Sequence, residues 1–171
     1  MIVGVISDSH DNIYALREVL QKLLEHGIEV LVHLGDIVSP FAVKLMKEVL
    51  GNKPVVAVRG NNDGDLIQLS QLFSKYSWTF LHDPSVVEFS GRRVLLIHGH
   101  GAAEDVKKLV YALARSLDVD AVFYGHTHTA DLSNAEGKLV LNPGELCGYL
   151  TGRKSYALVD LSKMKAEVYY L

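Results

Sequence analysis

The first ten residues, MIVGVISDSH (1–10), show the pattern that decides the fold. An apolar run over residues 1–6 ends at a loop that carries Asp8 and His10, two side chains that bind metal ions. The same pattern, an apolar run followed at once by such a loop, occurs after residues 30–34, 55–58, 94–97 and 121–124. Because ligand sites in α/β proteins form beyond the carboxyl ends of strands, this repetition predicts one site where five loops meet.

Seven side chains in these loops are candidate metal ligands: Asp8, His10, Asp36, Asn61, His98, His126 and His128. Each motif alone is also typical of a turn or a helix cap, but their shared position after apolar runs favours a metal site. The set is rich in oxygen and imidazole and lacks thiolate, which suits Mn²⁺, Fe²⁺, Co²⁺, Ni²⁺ or Zn²⁺. Seven ligands are too many for one tetrahedral zinc and suit two ions about 3.5–4 Å apart.

Strand and helix patterns alternate along the first two thirds of the chain. We expect one helix between Asn12 and Gly27, a second from Ser39-Pro40 to Gly51, a third over residues 103–117 and a short one within 64–76. Turns at 90–91 and 136–137 predict two hairpins, and residues 156–161 are expected to pair with 166–171. The chain therefore belongs to the α/β class, with one mixed sheet or two.

The composition fits one globular domain over residues 1–171, since 49% of the residues are hydrophobic and 22% are charged. A formal net charge of -3 disfavours long nucleic acids and anionic membranes as partners. Cys147 is the only cysteine, which excludes an internal disulfide and a thiolate zinc cluster and favours a reducing compartment. No apolar run approaches the roughly 18 residues of a membrane span, so we expect a soluble, cytoplasmic protein.

The motifs, in this order and spacing, resemble those of the calcineurin-like metallophosphoesterases, particularly their small single-domain bacterial and archaeal phosphodiesterases; they are residues 8–10, 35–36, 60–63, 98–100 and 125–128. The resemblance covers essentially the whole chain. It implies a four-layer α-β-β-α sandwich, in which two stacked mixed sheets are flanked by helices. It also implies a ligand division: Asp8, His10 and His128 on one metal, Asn61, His98 and His126 on the other, and Asp36 bridging both.

The expected function is that of a metal-dependent phosphoesterase, foremost a phosphodiesterase that acts on a small phosphoester. Two divalent ions per chain are the expected cofactors, with Mn²⁺ first and Ni²⁺, Fe²⁺, Co²⁺ or Zn²⁺ as alternatives. A hydroxide between the ions is the expected nucleophile. The sequence predicts no oligomeric state.

Two positions depart from the family pattern. Many members have a histidine where this chain has Asn62, which donates hydrogen bonds but supplies no proton at neutral pH. We therefore expect Asn62 and His100 to orient the phosphoryl group. We also expect either substrates with good leaving groups or a metal-bound water or His100 as the proton donor. Glu145 replaces a frequent serine; at a surface turn or facing the site, its charge is expected to disfavour monoesters and so to favour diesters.

Two other functions fit the sequence. The related retromer subunit Vps29 is a protein-interaction scaffold, so a non-catalytic Vps29-like role is one alternative. A nuclease is the other, and the absence of a basic surface argues against it. The remaining histidines, His26, His33 and His82, follow no apolar run in the same way, and we assign them structural or surface roles.

Overall fold

The computed structural model describes residues 1–171. Its helices are α1 (Ile13–Glu25), α2 (Pro40–Leu50), α3 (Leu66–Lys75) and α4 (Ala103–Ser116). Its strands are β1 (Ile2–Ile6), β2 (Val30–His33), β3 (Val55–Val58), β4 (Thr79–Leu81), β5 (Ser85–Phe89), β6 (Arg92–Ile97), β7 (Ala121–Tyr124), β8 (Asp131–Ala135), β9 (Lys138–Asn142), β10 (Ser155–Asp160) and β11 (Lys165–Tyr170).

Two mixed sheets form the centre of the fold. The first has the strand order β11-β10-β1-β2-β3-β4, in which β1 to β4 are parallel and β10 and β11 are antiparallel to their neighbours. The second has the order β5-β6-β7-β9-β8, in which β6, β7 and β9 are parallel. The three predicted strand pairs, β5 with β6, β8 with β9 and β10 with β11, are confirmed.

Apolar side chains fill three interfaces between four layers. Helices α1, α2 and α3 cover the first sheet through residues such as Leu16, Leu20, Met46 and Phe73. The facing sheets bury Val5, Val32, Leu96 and Phe123 between them, and α4 covers the second sheet with Val106 and Val110. Strands β1, β2, β3 and β7 have buried faces on both sides, which explains their near-continuous aliphatic sequences. The expected α-β-β-α sandwich is confirmed.

The helix boundaries follow local chemistry that is visible in the sequence. The Asn12 side chain accepts a hydrogen bond from the Ala15 backbone N–H (3.2 Å) at the start of α1. Ser39 does the same for Phe41 (3.3 Å) at the start of α2, where Pro40 is the first helical residue, and Gly51 ends that helix with a positive φ of 62°. None of the four helices is long and apolar enough to cross a membrane.

One strand was missing from the sequence prediction. Strand β4 has only three residues, none of them fully buried, and lies at the edge of the first sheet beside β3. So short a segment shows no alternation, and tertiary pairing with β3 defines it.

The five motif-bearing strands belong to both sheets rather than to one. Strands β1, β2 and β3 lie in the first sheet, and β6 and β7 lie in the second. Backbone hydrogen bonds join their loops at one end of the sandwich: the Asp8 N–H donates to the Gly35 carbonyl (3.1 Å), and the His126 N–H donates to the Asp8 carboxylate (3.1 Å). The candidate site therefore lies across the edge where the two sheets meet.

Candidate metal centre

The structure brings all seven candidate ligands together, six of them in two groups of three and Asp36 between the groups. In the first group, which consists of Asp8, His10 and His128, Asp8 Oδ1 lies 3.8 Å from His10 Nε2 and 3.5 Å from His128 Nε2. In the second group, which consists of Asn61, His98 and His126, Asn61 Oδ1 lies 2.9 Å from His98 Nε2 and 2.8 Å from His126 Nδ1. Each group presents one oxygen and two imidazole nitrogens to a common point.

Asp36 lies between the two groups and presents one carboxylate oxygen to each. Its Oδ2 is 3.4 Å from His10 Nε2, and its Oδ1 is 3.5 Å from His98 Nε2. A carboxylate with this placement is suited to bridge two ions.

The backbone of these loops is unusual. Eleven residues other than glycine have a positive φ, and five of them are candidate ligands: Asp8, His10, Asp36, His126 and His128. Asp and His enter this region more readily than most residues, yet it remains uncommon, and such backbone concentrates at functional sites. The loops are therefore shaped to aim these side chains.

Glycines allow the loops to approach one another closely. A Cβ on Gly60 would lie 2.0 Å from the Asp36 backbone nitrogen, and a Cβ on Gly125 would lie 2.2 Å from Ser7 Oγ. Any larger residue at either position would force the loops apart. The glycines that precede Asn61 and His126 are therefore part of the site.

Backbone carbonyls and a carboxylate fix the orientation of three histidines. His98 Nδ1 donates to the Leu34 carbonyl (2.7 Å), and His126 Nε2 donates to the Gly101 carbonyl (2.8 Å). His128 Nδ1 donates to Glu145 Oε2 (2.7 Å). In each ring the donating nitrogen carries the proton, so the other nitrogen is unprotonated and can face an ion.

Two buried polar atoms indicate that a cation belongs here. Asp8 Oδ1 and His10 Nε2 are buried and have no hydrogen-bond partner. A buried polar atom left unpaired costs roughly 1–3 kcal/mol. A divalent ion held by the first group would remove this cost, so the residues present fit a metal.

The electrostatics of the site keep its carboxylates ionised. Burial acts to raise the pKa of Asp36, but the His98 ring and the Asn62 donors outweigh it and hold the pKa below its usual range. Burial acts to lower the pKa of His98, but Asp36 and Asp8 raise it to about 9. The cluster therefore attracts positive charge, and without metal a proton on His98 supplies part of it.

Asn62 contacts Asp36 from two sides. Its backbone N–H donates to Asp36 Oδ1 (2.7 Å), and its side-chain Nδ2 donates to Oδ2 (2.7 Å). Its amide is thus engaged by Asp36 rather than free in the cleft. His100 is exposed and lines a recess beside Asn61.

The prediction that Glu145 lies at a surface turn or faces the substrate is wrong. Its side chain is fully buried behind His128. Besides His128, it accepts hydrogen bonds from Cys147 Sγ (3.2 Å), Leu150 N (3.1 Å), Thr151 N (2.6 Å) and Thr151 Oγ1 (2.7 Å). Burial acts to raise the pKa of Glu145, but Thr151 and His128 outweigh it and lower the pKa to about 2. The carboxylate keeps its charge but is buried and hydrogen-bonded behind His128, so it is not presented to a substrate phosphate.

Cys147 was also missed by the sequence reasoning. Its sulfur belongs to a group with the ligand nitrogens of His10 and His128, all within 4.8 Å of one another. Burial raises the pKa of the thiol to about 12, so it remains protonated and donates to Glu145. Its position suits a support for the carboxylate better than a metal ligand.

His33 has a structural role. It is completely buried, and its Nδ1 accepts a hydrogen bond from the Gly35 N–H (3.2 Å). Its Nε2 therefore carries the proton and donates to Ser9 Oγ (3.0 Å). This neutral ring joins the loop after β1 to the loop after β2.

We expect His33 to make the metal-free protein sensitive to acid. Burial lowers the pKa of His33 to about 3, whereas an unfolded histidine has a pKa of about 6.5. At a pH between these two pKa values, only the unfolded chain takes up the proton. The free energy of unfolding therefore falls by about 2 kcal/mol from pH 7 to pH 5. Urea unfolding in the presence of a chelator measures this free energy at both pH values. The difference in the free energy of unfolding between the wild type and His33→Gln is expected to decrease by about 2 kcal/mol from pH 7 to pH 5. A difference that is the same at both pH values contradicts the prediction. The control is His26→Gln, which makes the same change at an exposed histidine.

A four-layer sandwich with carboxylate and histidine side chains gathered at one end of two stacked sheets is the architecture of metal-dependent phosphoesterases. The family comparison agrees. Residues 1–164 match the calcineurin-like phosphoesterase superfamily domain, and the chain belongs to that superfamily.

Several relatives are similar over at least nine tenths of their length. Phosphodiesterase MJ0936 from Methanocaldococcus jannaschii is 32% identical over 164 residues, which cover 95% of this chain and 95% of the relative. The solved structure described as a novel archaeal phosphodiesterase superposes with a TM-score of 0.89 at 30% identity and covers 100% of both chains. Vps29 from Chaetomium thermophilum superposes with a TM-score of 0.70 at 18% identity over 100% of this chain and 92% of that one, which is a likeness of fold alone.

Proposed function

We propose that this protein is a metal-dependent phosphodiesterase with a dinuclear centre. The observation that carries the proposal is the placement of Asp36, whose two oxygens face separate ligand groups at 3.4 Å and 3.5 Å. The similarity to phosphodiesterase MJ0936 supports the substrate class.

The seven side chains would hold two divalent ions, for which we expect Mn²⁺. Asp8, His10 and His128 would bind one ion, Asn61, His98 and His126 the other, and Asp36 both. Two such ions supply Lewis acidity, and they make water nucleophilic near neutral pH.

The chain's own groups organise this centre and its substrate. Asn62 holds both oxygens of Asp36 in place, and Glu145 holds His128. The exposed His100 ring, which lines a recess with Asn61, would orient the phosphoryl group. At position 62 an amide replaces a proton donor, which favours esters with good leaving groups. Since buried Glu145 does not face the substrate, the preference for diesters rests on the similarity to phosphodiesterase MJ0936.

The unpaired buried atoms also bear on the scaffold alternative. A Vps29-like scaffold without metal would carry the cost of burying Asp8 Oδ1 and His10 Nε2 unpaired and would gain nothing from it. A bound ion accounts for both atoms, in a catalytic centre and in a metal-binding scaffold alike, so a substrate panel separates these two functions.

Hydrolysis of a substrate panel tests the proposal. Metal-free protein reconstituted with Mn²⁺ is assayed on bis-p-nitrophenyl phosphate, p-nitrophenyl phosphate and single-stranded DNA. We expect metal-dependent hydrolysis of the diester, a lower rate with the monoester and little cleavage of DNA. Equal activity with and without metal, or a monoester hydrolysed faster than the diester, contradicts the proposal.

A further inference from the structure

A polar recess adjoins the second ligand group. It has a volume of about 240 Å³, and its lining includes Arg59, Asn61, His82, Asp83 and His100 but no hydrophobic side chain. Substrate pockets that enclose a whole ligand measure roughly 300–1,000 Å³ and are mostly apolar. This recess is smaller and polar, which suits a charged substituent of a substrate.

Asn61 connects the recess to the candidate metal centre. Asn61 Oδ1 lies 2.9 Å from His98 Nε2 in the second ligand group, and Asn61 also lines the recess. A phosphoester bound at the two ligand groups therefore has one ester substituent within reach of the recess.

The recess offers free hydrogen-bond donors to an anion. Arg59 is exposed, and no carboxylate lies within 4.0 Å of its guanidinium. Asp83 is the one acidic residue in the lining, and its charge offsets that of Arg59. Its two oxygens already accept hydrogen bonds from the backbone N–H groups of His98 (2.7 Å) and Gly99 (3.0 Å). The guanidinium fork and the rings of His82 and His100 remain available to an anion.

We propose that the recess binds a second anionic group, a phosphate or a carboxylate, on one ester substituent of the substrate, and that Arg59 is the specificity-determining residue. This inference rests on the proposed phosphodiesterase function. It narrows the substrate class from simple diesters to diesters that carry an additional negative charge. Arg59 forms a bidentate contact with that group, since its planar fork matches both anions.

Three p-nitrophenyl diesters with the same leaving group test the proposal. Their second substituents are propyl, 2-carboxyethyl and 2-phosphonoethyl, so that the last two distinguish carboxylate from phosphate-like recognition. The wild-type enzyme is expected to show a kcat/KM about tenfold higher for at least one anionic ester than for the propyl ester. Arg59→Ala is expected to lower kcat/KM for the preferred anionic ester more than for the propyl ester, mainly through KM, and Arg59→Lys is expected to restore part of the preference.

Arg115→Ala removes the same charge from the last turn of α4 and is the matched control. Equal kcat/KM for all three esters in the wild type overturns the proposal but leaves the phosphodiesterase function intact. So does an Arg59→Ala variant that retains the preference, or one that loses activity on all three esters equally at an unchanged unfolding temperature. Hydrolysis of none of the esters overturns the recess proposal and the proposed function together.

Discussion

Replacing Asp36 with asparagine is expected to lower kcat/KM for a phosphodiester by roughly a thousandfold, because a loss of about 4 kcal/mol of transition-state stabilisation has that effect. Asp36 is the one side chain that faces both ligand groups. Asparagine keeps its size but removes its charge, so both ions would be held less tightly. His100→Ala is expected to do less damage, since His100 lies at the rim of the site.

The measurement compares kcat/KM and bound metal in wild type and variant. Asp65→Asn is the matched control: it makes the same chemical change at the start of α3, where asparagine caps a helix as well as aspartate does. An Asp36→Asn enzyme that is folded and retains more than about a tenth of wild-type activity would contradict a bridging role.

Replacing Glu145 is expected to weaken metal binding about 10–100-fold, although Glu145 does not face the metal position. Its carboxylate holds the Nδ1 proton of His128, which directs Nε2 towards Asp8. Glu145→Gln is expected to retain part of the affinity, because its amide oxygen still accepts that proton. Glu145→Ala is expected to lose more.

Two readouts separate this positioning role from a general loss of structure. The Mn²⁺ dissociation constant measures affinity, and the ¹⁵N chemical shifts of His128 in the metal-free protein report which ring nitrogen carries the proton. Exposed Glu136→Gln is the control. If Glu145→Ala binds Mn²⁺ as the wild type does and keeps the same His128 tautomer, the positioning role is refuted.

Local signals in the sequence predicted most strands and helices and the seven candidate ligands after the strands, whereas the family resemblance implied the four-layer sandwich. Asp8, Asp36 and His98 all lie within three residues of the end of a buried strand. Parallel topology brings such loops to one edge within each sheet, and the stacking of the two sheets brings the two edges together. Capping residues such as Asn12 and Ser39 placed the helices in the same way.

The contacts that the sequence did not predict are non-local. Glu145 and His128 are 17 residues apart in the sequence, and the donors that stabilise the Glu145 carboxylate come from the folded segment up to Thr151. From the sequence, its position after Pro143-Gly144 was typical of a surface turn. Asn62 likewise resembled a turn residue, and its two bonds to Asp36 depend on the close approach of two loops at Gly60.

The number of Mn²⁺ ions needed for full activity tests the central claim most directly. Metal-free protein is titrated with Mn²⁺ while bound metal and hydrolysis of bis-p-nitrophenyl phosphate are measured on the same sample. The arrangement of two ligand groups around Asp36 predicts that activity reaches its maximum at two ions per chain. Full activity at one ion per chain, or in the presence of a chelator that removes all metal, would contradict the dinuclear centre.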